Sequence, residues 1–306
     1  MREFVERVAV ITGAASGIGR GIAERCAQEG MKVVLADIEQ EPLLLAADEL
    51  ADCGAKVIAV VTDVSKYSDV EHLAQKAVSA FGGVHLLCNN AGVAGGTWVW
   101  QNTLADWEWI MGVNLWGVIH GVHAFVPIML EQGTEGHIVN TASLAGLTAY
   151  PGSGIYKVTK HAVVSLSETL YLELEQIGAK IKVSVLCPGG VRTRIGESGR
   201  NRPVTHSKAQ QTQSSPCDNE LVRRLRQRVM QDEALQPSEV ADAVLTGIRQ
   251  ERFYILTHPQ WNFVIERRVR DMLEGRNPAN PMTIRALSDL LVEKASGWLH
   301  RRGGGR

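Results

Sequence analysis

Cysteine is sparse in this 306-residue chain, and what there is stands apart. Cys26, Cys53, Cys88, Cys187 and Cys217 are odd in number, scattered, and without Cys-x-x-Cys spacing. A disulfide framework or a zinc knuckle needs paired or closely spaced cysteines. These therefore read as reduced thiols of a cytoplasmic protein. His72, His206 and His258 are equally dispersed, so no metal site is expected. Charge of one sign is lacking too: 32 Lys and Arg against 33 Asp and Glu leave a formal net charge of −1. There is no global basic field of the kind that holds nucleic acid. The first residues, Met1-Arg-Glu-Phe-Val-Glu-Arg7, lack the apolar run of a signal peptide. No apolar stretch reads as the roughly 20 residues that span a membrane, and no membrane partner is expected. Internal repeats and Pro- or Ser-rich linkers are absent as well, so the expectation is one soluble domain over residues 1–306.

What is present is an alternation. Arg7-Val-Ala-Val-Ile-Thr-Gly13 is a short apolar run ending in glycine, as in a buried parallel strand. A helical segment follows at 20–30, closed by Gly30. Strands are predicted at 31–37, 56–61, 84–88, 137–141 and 180–186, with helices at 41–53, 68–81, 103–111, 113–131 and from Tyr156 onward. Strands alternating with helices of this length imply βαβ units and a parallel sheet. The fold class is α/β: a Rossmann-like, doubly wound parallel sheet flanked by helices. The core runs from about 5 to 258, with a last helix at 238–250 and a last strand at 252–256. Residues 191–237 turn polar and basic and read as a lid over the substrate. Residues 259–306 read as a C-terminal helical tail ending in a frayed Gly303-Gly304-Gly305-Arg306.

The residues suited to chemistry sit where these strands end. Gly13-x-x-x-Gly17-x-Gly19, with Ser16 and Ile18 between, lies between a strand and a helix. Glycines there permit close approach of a pyrophosphate, and the helix N-terminus offers free N–H groups and a positive dipole. The spacing departs from the GxGxxG fingerprint. Asp37 ends the second strand, where a carboxylate accepts the ribose hydroxyls. A 2′-phosphate there would meet a repulsion of roughly 4 kcal/mol at about 4 Å and an effective dielectric of about 20. Ala15, Ser16 and Ile38 supply no compensating cation. The cofactor reading is therefore NAD rather than NADP. Asp63-Val64 ends the third strand, to hold the adenine edge or to cap a turn. Asn89-Asn90-Ala91-Gly92 ends the fourth, with Asn89 serving the turn itself. Tyr156 and Lys160 are four apart on a helix and share a face. An ammonium near a phenol favours the phenolate and lowers its pKa, towards the range useful for proton transfer.

This ordered set resembles the short-chain dehydrogenases/reductases. The resemblance rests on Thr12-Gly13-x-x-x-Gly17-x-Gly19, Asp37, Asp63-Val64, Asn89-Asn90-Ala91-Gly92, Asn114, Ser143, Tyr156-x-x-x-Lys160 and Pro188-Gly189. It covers residues 7 to about 195. It implies Tyr156 as catalytic acid/base and Ser143 as hydrogen-bond donor to the substrate oxygen. Lys160 would bind the nicotinamide ribose and depress the Tyr156 pKa. Asn114 would hold a water chain from Lys160 to solvent. By the same resemblance Val191 bonds the nicotinamide carboxamide and Thr193 contacts it or the pyrophosphate. The family forms dimers or tetramers, so a homodimer or homotetramer is expected.

The reacting carbon would be flanked by Leu144, Ala145, Tyr150, Ser153 and Gly189-Gly190, with Val93 and Ala94 nearby. These mostly apolar walls suit a hydrophobic secondary alcohol or ketone. The five tryptophans between Trp98 and Trp116 read as packing residues rather than pocket walls. The lid arginines and lysine, Arg192, Arg194, Arg200, Arg202, Lys208, Arg223, Arg224, Arg226 and Arg228, read as a solvated face. The expected activity is NAD(H)-dependent oxidoreduction. Two rivals remain: an NADP(H)-dependent carbonyl reductase and a non-catalytic dinucleotide-binding regulator.

Overall fold

The computed structural model describes residues 1–203 and 234–281. In chain order the elements are β1 (Val8–Thr12), α1 (Gly17–Gln28), β2 (Lys32–Asp37), α2 (Gln40–Asp52), β3 (Val57–Val61), α3 (Tyr67–Phe81) and β4 (Leu86–Asn89). Then come α4 (Leu104–Met111), α5 (Gly117–Gln132), β5 (Gly136–Thr141), α6 (Gly154–Gln176), β6 (Ile181–Cys187), α7 (Pro237–Arg249), β7 (Tyr254–Leu256) and α8 (Asn262–Leu273). The seven strands form one sheet in the order β3-β2-β1-β4-β5-β6-β7, every pair parallel.

A buried parallel strand carries apolar side chains on both faces, and β1 does so in alternation. Ala9 and Ile11 join Ile22, Ala23 and Cys26 of α1, Leu43 of α2 and Val244 of α7 in one core. Val8 and Val10 join Leu73 of α3, Phe125 of α5 and Leu170 of α6 in the other. The strand order reverses between β1 and β4, and ligands in open α/β sheets bind outside the strands' carboxyl ends at such a point.

Differences from the predicted elements have local causes. Residues 113–131 do not form one regular helix: Gly112–Trp116 is a π turn joining α4 to α5. At that turn the Asn114 side chain bonds Val93, accepting from its N–H at 2.8 Å and donating to its C=O at 3.0 Å. Together Leu104–Gln132 is a 29-residue helical stretch that is, by length and composition, apolar enough to cross a membrane. The sequence reading missed this because Gly112, Asn114 and Gly117 break the run by eye, although Trp109–Leu130 holds no Asp, Glu, Lys or Arg. Its buried side chains, among them Phe125 and Met129, face the sheet. Of the predicted lid, Ile195–Asn201 is a 3₁₀ segment, and residues 204–233 lie outside the described residues, with Lys208 and Arg223 to Arg228. Of the predicted helical tail, α8 is described and residues 282–306 are not.

Candidate active site

Three strand ends are stapled together through Thr12 and Asn90. Thr12, last in β1, accepts from the amides of Asn90 at 2.9 Å and Ala91 at 3.0 Å. It also donates to Cys88 O at 3.3 Å. Asn90 returns a bond from Nδ2 to Thr12 O at 3.0 Å and accepts from Thr141 Oγ1 at 3.2 Å. Lys160 Nζ then donates to Thr141 O at 2.8 Å. One polar chain thus ties the ends of β1, β4 and β5 to α6. Asn89 takes no part in the cleft. It is buried, bonds Asn140 Oδ1 at 2.9 Å, and fills the space a side chain at Gly121 would need.

A long cleft runs over these ends. Its lining holds Gly13, Ser16, Gly17, Ile18, Asp37, Asp63 and Val64, with Asn90, Ala91 and Gly92 leading towards Lys160. Ser143, Tyr156, Lys160, Pro188, Gly189, Val191 and Thr193 complete it. Backbone, not side chain, shapes the glycine loop: a Cβ at Gly13, whose φ is +68°, would lie 2.8 Å from Ala91 Cα. Gly19 does not line the cleft. A Cβ there would sit 2.2 Å from Gly13 O, so it lets α1 start hard against the turn. A loop of this shape, opening a helix at Gly17, fits a pyrophosphate.

Asp37 accepts from Ala15 N and Glu39 N, each at 3.0 Å, and burial raises its carboxyl above the usual range. It therefore caps the chain and faces the cleft at once. Asp63 does likewise, lining the cleft while accepting from Ser65 N and Oγ at 3.1 and 2.6 Å.

At the other end Tyr156 and Ser143 face each other, and the serine side chain favours the phenolate. Burial is the larger influence and pushes the phenol up to about 12. Lys160 lies 5.7 Å from the Tyr156 ring centroid, and burial takes its ammonium down to about 8. The expected lowering of the Tyr156 pKa is thus reversed in the protein alone: the lysine is spent on Thr141 O, and desolvation governs the phenol. Asn114 is fully buried behind Gly92 and Val93 and bonds Thr159 Oγ1 at 3.3 Å.

The substrate candidates divide. Leu144 and Tyr150 pack with Trp261 and Val264 from the start of the C-terminal segment, and Ala145 is buried. Ser153 precedes α6 at φ +51°, and Gly190 O accepts from Leu235 N at 3.1 Å. None of these five lines the main cleft, whereas Val93, Trp109 and Val113 do. Trp109 was not separable in sequence from the four other tryptophans around it.

Of the lid cations, Arg192 and Arg194 are exposed, as expected of a solvated face. Arg200 and Arg202 are instead engaged in ion pairs, and Lys208 and Arg223 to Arg228 lie outside the described residues. Arg200 pairs with Glu39 through Nε, and Nη2 donates at 3.3 Å. Arg202 Nη1 reaches Asp106 at 2.6 Å with its guanidinium 5.4 Å from the Trp109 ring centroid. Arg194, Arg200 and Asn201 join the cleft lining. Nothing in the spacing linked residues 161 positions apart. Among the described residues no group of three or more His, Cys, Asp or Glu is placed to hold a metal ion.

The family model for short chain dehydrogenase matches residues 7–203. A CLA biosynthesis dehydrogenase/reductase of Lactiplantibacillus plantarum is 35% identical over 284 residues, covering 91% of this chain and 97% of that protein. A short-chain dehydrogenase/reductase of Burkholderia phymatum, solved in complex with NAD, superposes with a TM-score of 0.87 at 46% identity. That match covers 93% of this chain and all of the other. An actinorhodin polyketide ketoreductase variant solved with NADPH gives a TM-score of 0.70 at 31% identity, over 84% of this chain and 98% of that one. The parallel seven-stranded sheet, the glycine loop at its switch point and this match over more than half of the chain place the protein in the short-chain dehydrogenase/reductase family, as an oxidoreductase.

Proposed function

We propose that the chain is an NAD(H)-dependent dehydrogenase or ketone reductase acting on a hydrophobic secondary alcohol or ketone. The observation that carries this reading is the convergence of Ser143, Tyr156 and Lys160 on one end of a cleft whose other end closes on Asp37. A nicotinamide dinucleotide bound along it supplies the donor and acceptor of hydride. Gly13 to Gly19 and the start of α1 would hold its pyrophosphate, and Asp37 its adenosine ribose.

The chain's own residues manage the proton and the substrate. Tyr156 gives its proton to the carbonyl oxygen in reduction and recovers it from the hydroxyl in oxidation. Ser143 holds that oxygen against the phenol. A phenol kept protonated by burial is the form that reduction uses. Oxidation needs the phenolate and gains with alkalinity. Val93, Trp109 and Val113 supply an apolar wall, which suits a hydrophobic substrate. The negative charge of Asp37 opposes a 2′-phosphate, and the 46% identical relative was solved with NAD.

The test is turnover of apolar secondary alcohols and their ketones with NAD(H) and NADP(H), followed by nicotinamide absorbance. NAD is expected to exceed NADP, and Tyr156→Phe to lose about 100-fold or more in kcat, the usual range for a general acid/base, while still binding NADH. Preference for NADP would overturn the Asp37 argument. Unchanged turnover in Tyr156→Phe would remove the phenol from the chemistry.

A further inference from the structure

The peptide Pro188-Gly189 lines the cleft beside Ser143 and Tyr156, and it is gripped from two sides. On one side Pro188 O accepts from Leu144 N at 2.9 Å and from Ser143 Oγ at 3.4 Å. On the other side Gly189 N donates to Nδ1 of His258 at 3.1 Å. The second grip replaces a sheet bond. β6 and β7 run in register with Val185, Leu186 and Cys187 opposite Tyr254, Ile255 and Leu256. Carried two residues further, that register sets Gly189 opposite His258. The backbones have parted there, and the imidazole takes the amide that a strand carbonyl would otherwise accept.

The fit leaves the ring little freedom. His258 is 4% exposed. A Cβ built on Gly189 would stand 2.8 to 3.0 Å from Cγ, Nδ1 and Cδ2 of the imidazole, so Gly189 lies flat against it. Thr257 Oγ1 sits 2.7 Å from the same Nδ1. A backbone N–H can only donate, so Nδ1 is the acceptor of the Gly189 bond.

We propose that His258 is a positioning residue for the nicotinamide end of the cleft. Its Nδ1 fixes the Pro188-Gly189 peptide, and that peptide in turn fixes Ser143 and the wall against which the nicotinamide packs. The proposal rests on the reading that a nicotinamide dinucleotide occupies this cleft. Its reach is narrow: loss of the acceptor should loosen the nicotinamide end and leave the adenosine end, 13–37, as it was.

NADH itself is the probe. Its affinity reports chiefly the adenosine end, and the emission of bound NADH reports how rigidly the nicotinamide is held. In His258→Leu, which keeps bulk and removes the acceptor, NADH affinity is expected to stay within about threefold, while the emission enhancement of bound NADH falls. With a substrate that the wild type turns over, kcat should fall about five- to tenfold, the range for one buried hydrogen bond. In His258→Asn the Oδ1 stands as many bonds from Cβ as Nδ1 does and should recover most of both signals. Thermal unfolding of each variant checks that the fold is kept. His258→Leu indistinguishable from wild type, or His258→Asn as impaired as His258→Leu, would overturn the proposal and leave His258 as packing. Wild-type protein that failed to bind NADH would instead overturn the dinucleotide reading, and this assignment with it.

Discussion

Two lysines one turn apart on α6 are buried for different reasons. Lys160 is 2% exposed and holds Thr141 O, while Lys157 is 7% exposed with its ammonium 3.8 Å from the Tyr150 ring centroid and on Gly152 O. Burial takes each down to about 8 from 10.5. Above pH 8 the folded chain sheds protons that the unfolded chain keeps, so the unfolded state binds more and stability rises with pH. Between about pH 8 and 9 each lysine should add about 1 kcal/mol. The thiols of Cys26, Cys88 and Cys187, raised by burial from 9.0, oppose that gain inside the same window. Unfolded thiols begin to ionise at about pH 8, and each takes back roughly 0.4 kcal/mol. Lys160→Met is expected to lower the net rise by about 1 kcal/mol, read as urea midpoints at the two pH values. An equal rise in wild type and variant would show that Lys160 titrates near its ordinary value. The sequence made the Tyr156-Lys160 pairing legible, because four residues is one turn. It carried no sign of what buries the ammonium, since Thr141 O lies on another strand.

At the scale of elements, strand ends were the most legible feature. An apolar run closed by Gly13, Asp37 or Asn89-Asn90 announces both a buried strand and the chemistry at its tip. Helix starts were less so: α1 begins at Gly17, not 20, and α6 at Gly154, not 156, because glycine masks periodicity. The C-terminal segment's role was illegible, as it depends on contacts far off in sequence. Trp261, 3% exposed, packs with Val264 against Leu144 and Tyr150, and Leu144 adjoins Ser143, which lines the cleft. Trp261→Ala should therefore act twice. It should lower stability by about 3–5 kcal/mol, as for large buried aromatics, and raise the substrate KM while leaving NADH affinity unchanged. A stability loss with an unaltered KM would confine the segment to covering the core.

Across the whole molecule, residues 191–203 cross the cleft and are fastened on both banks. One fastening joins Arg200 to Glu39 at the start of α2; the other joins Arg202 to Asp106 in α4. Their environments differ, with side-chain exposures of 28% and 14% for the first and 11% and 5% for the second. Breaking the first pair should cost only about 0–1 kcal/mol of stability, as for exposed pairs, yet free that bank of the strap. Arg200→Met is thus expected to unfold near the wild-type midpoint but release NADH faster in stopped flow. Arg202→Met leaves Asp106 buried without its cation and should cost about 3–5 kcal/mol. The pair is imperfect as well: Arg202 Nε and Nη2 are buried with no hydrogen-bond partner among the described residues. Adding Asp106→Asn keeps an acceptor for Thr103 N, now bonded by Asp106 at 2.8 Å, and removes the orphaned charge. The double variant should then recover much of what Arg202→Met loses. Recovery in that cycle with no gain from Asp106→Asn alone would identify the strap's inner fastening as one coupled charge pair. A double variant as unstable as Arg202→Met would place the loss in the arginine's packing on Trp109 instead.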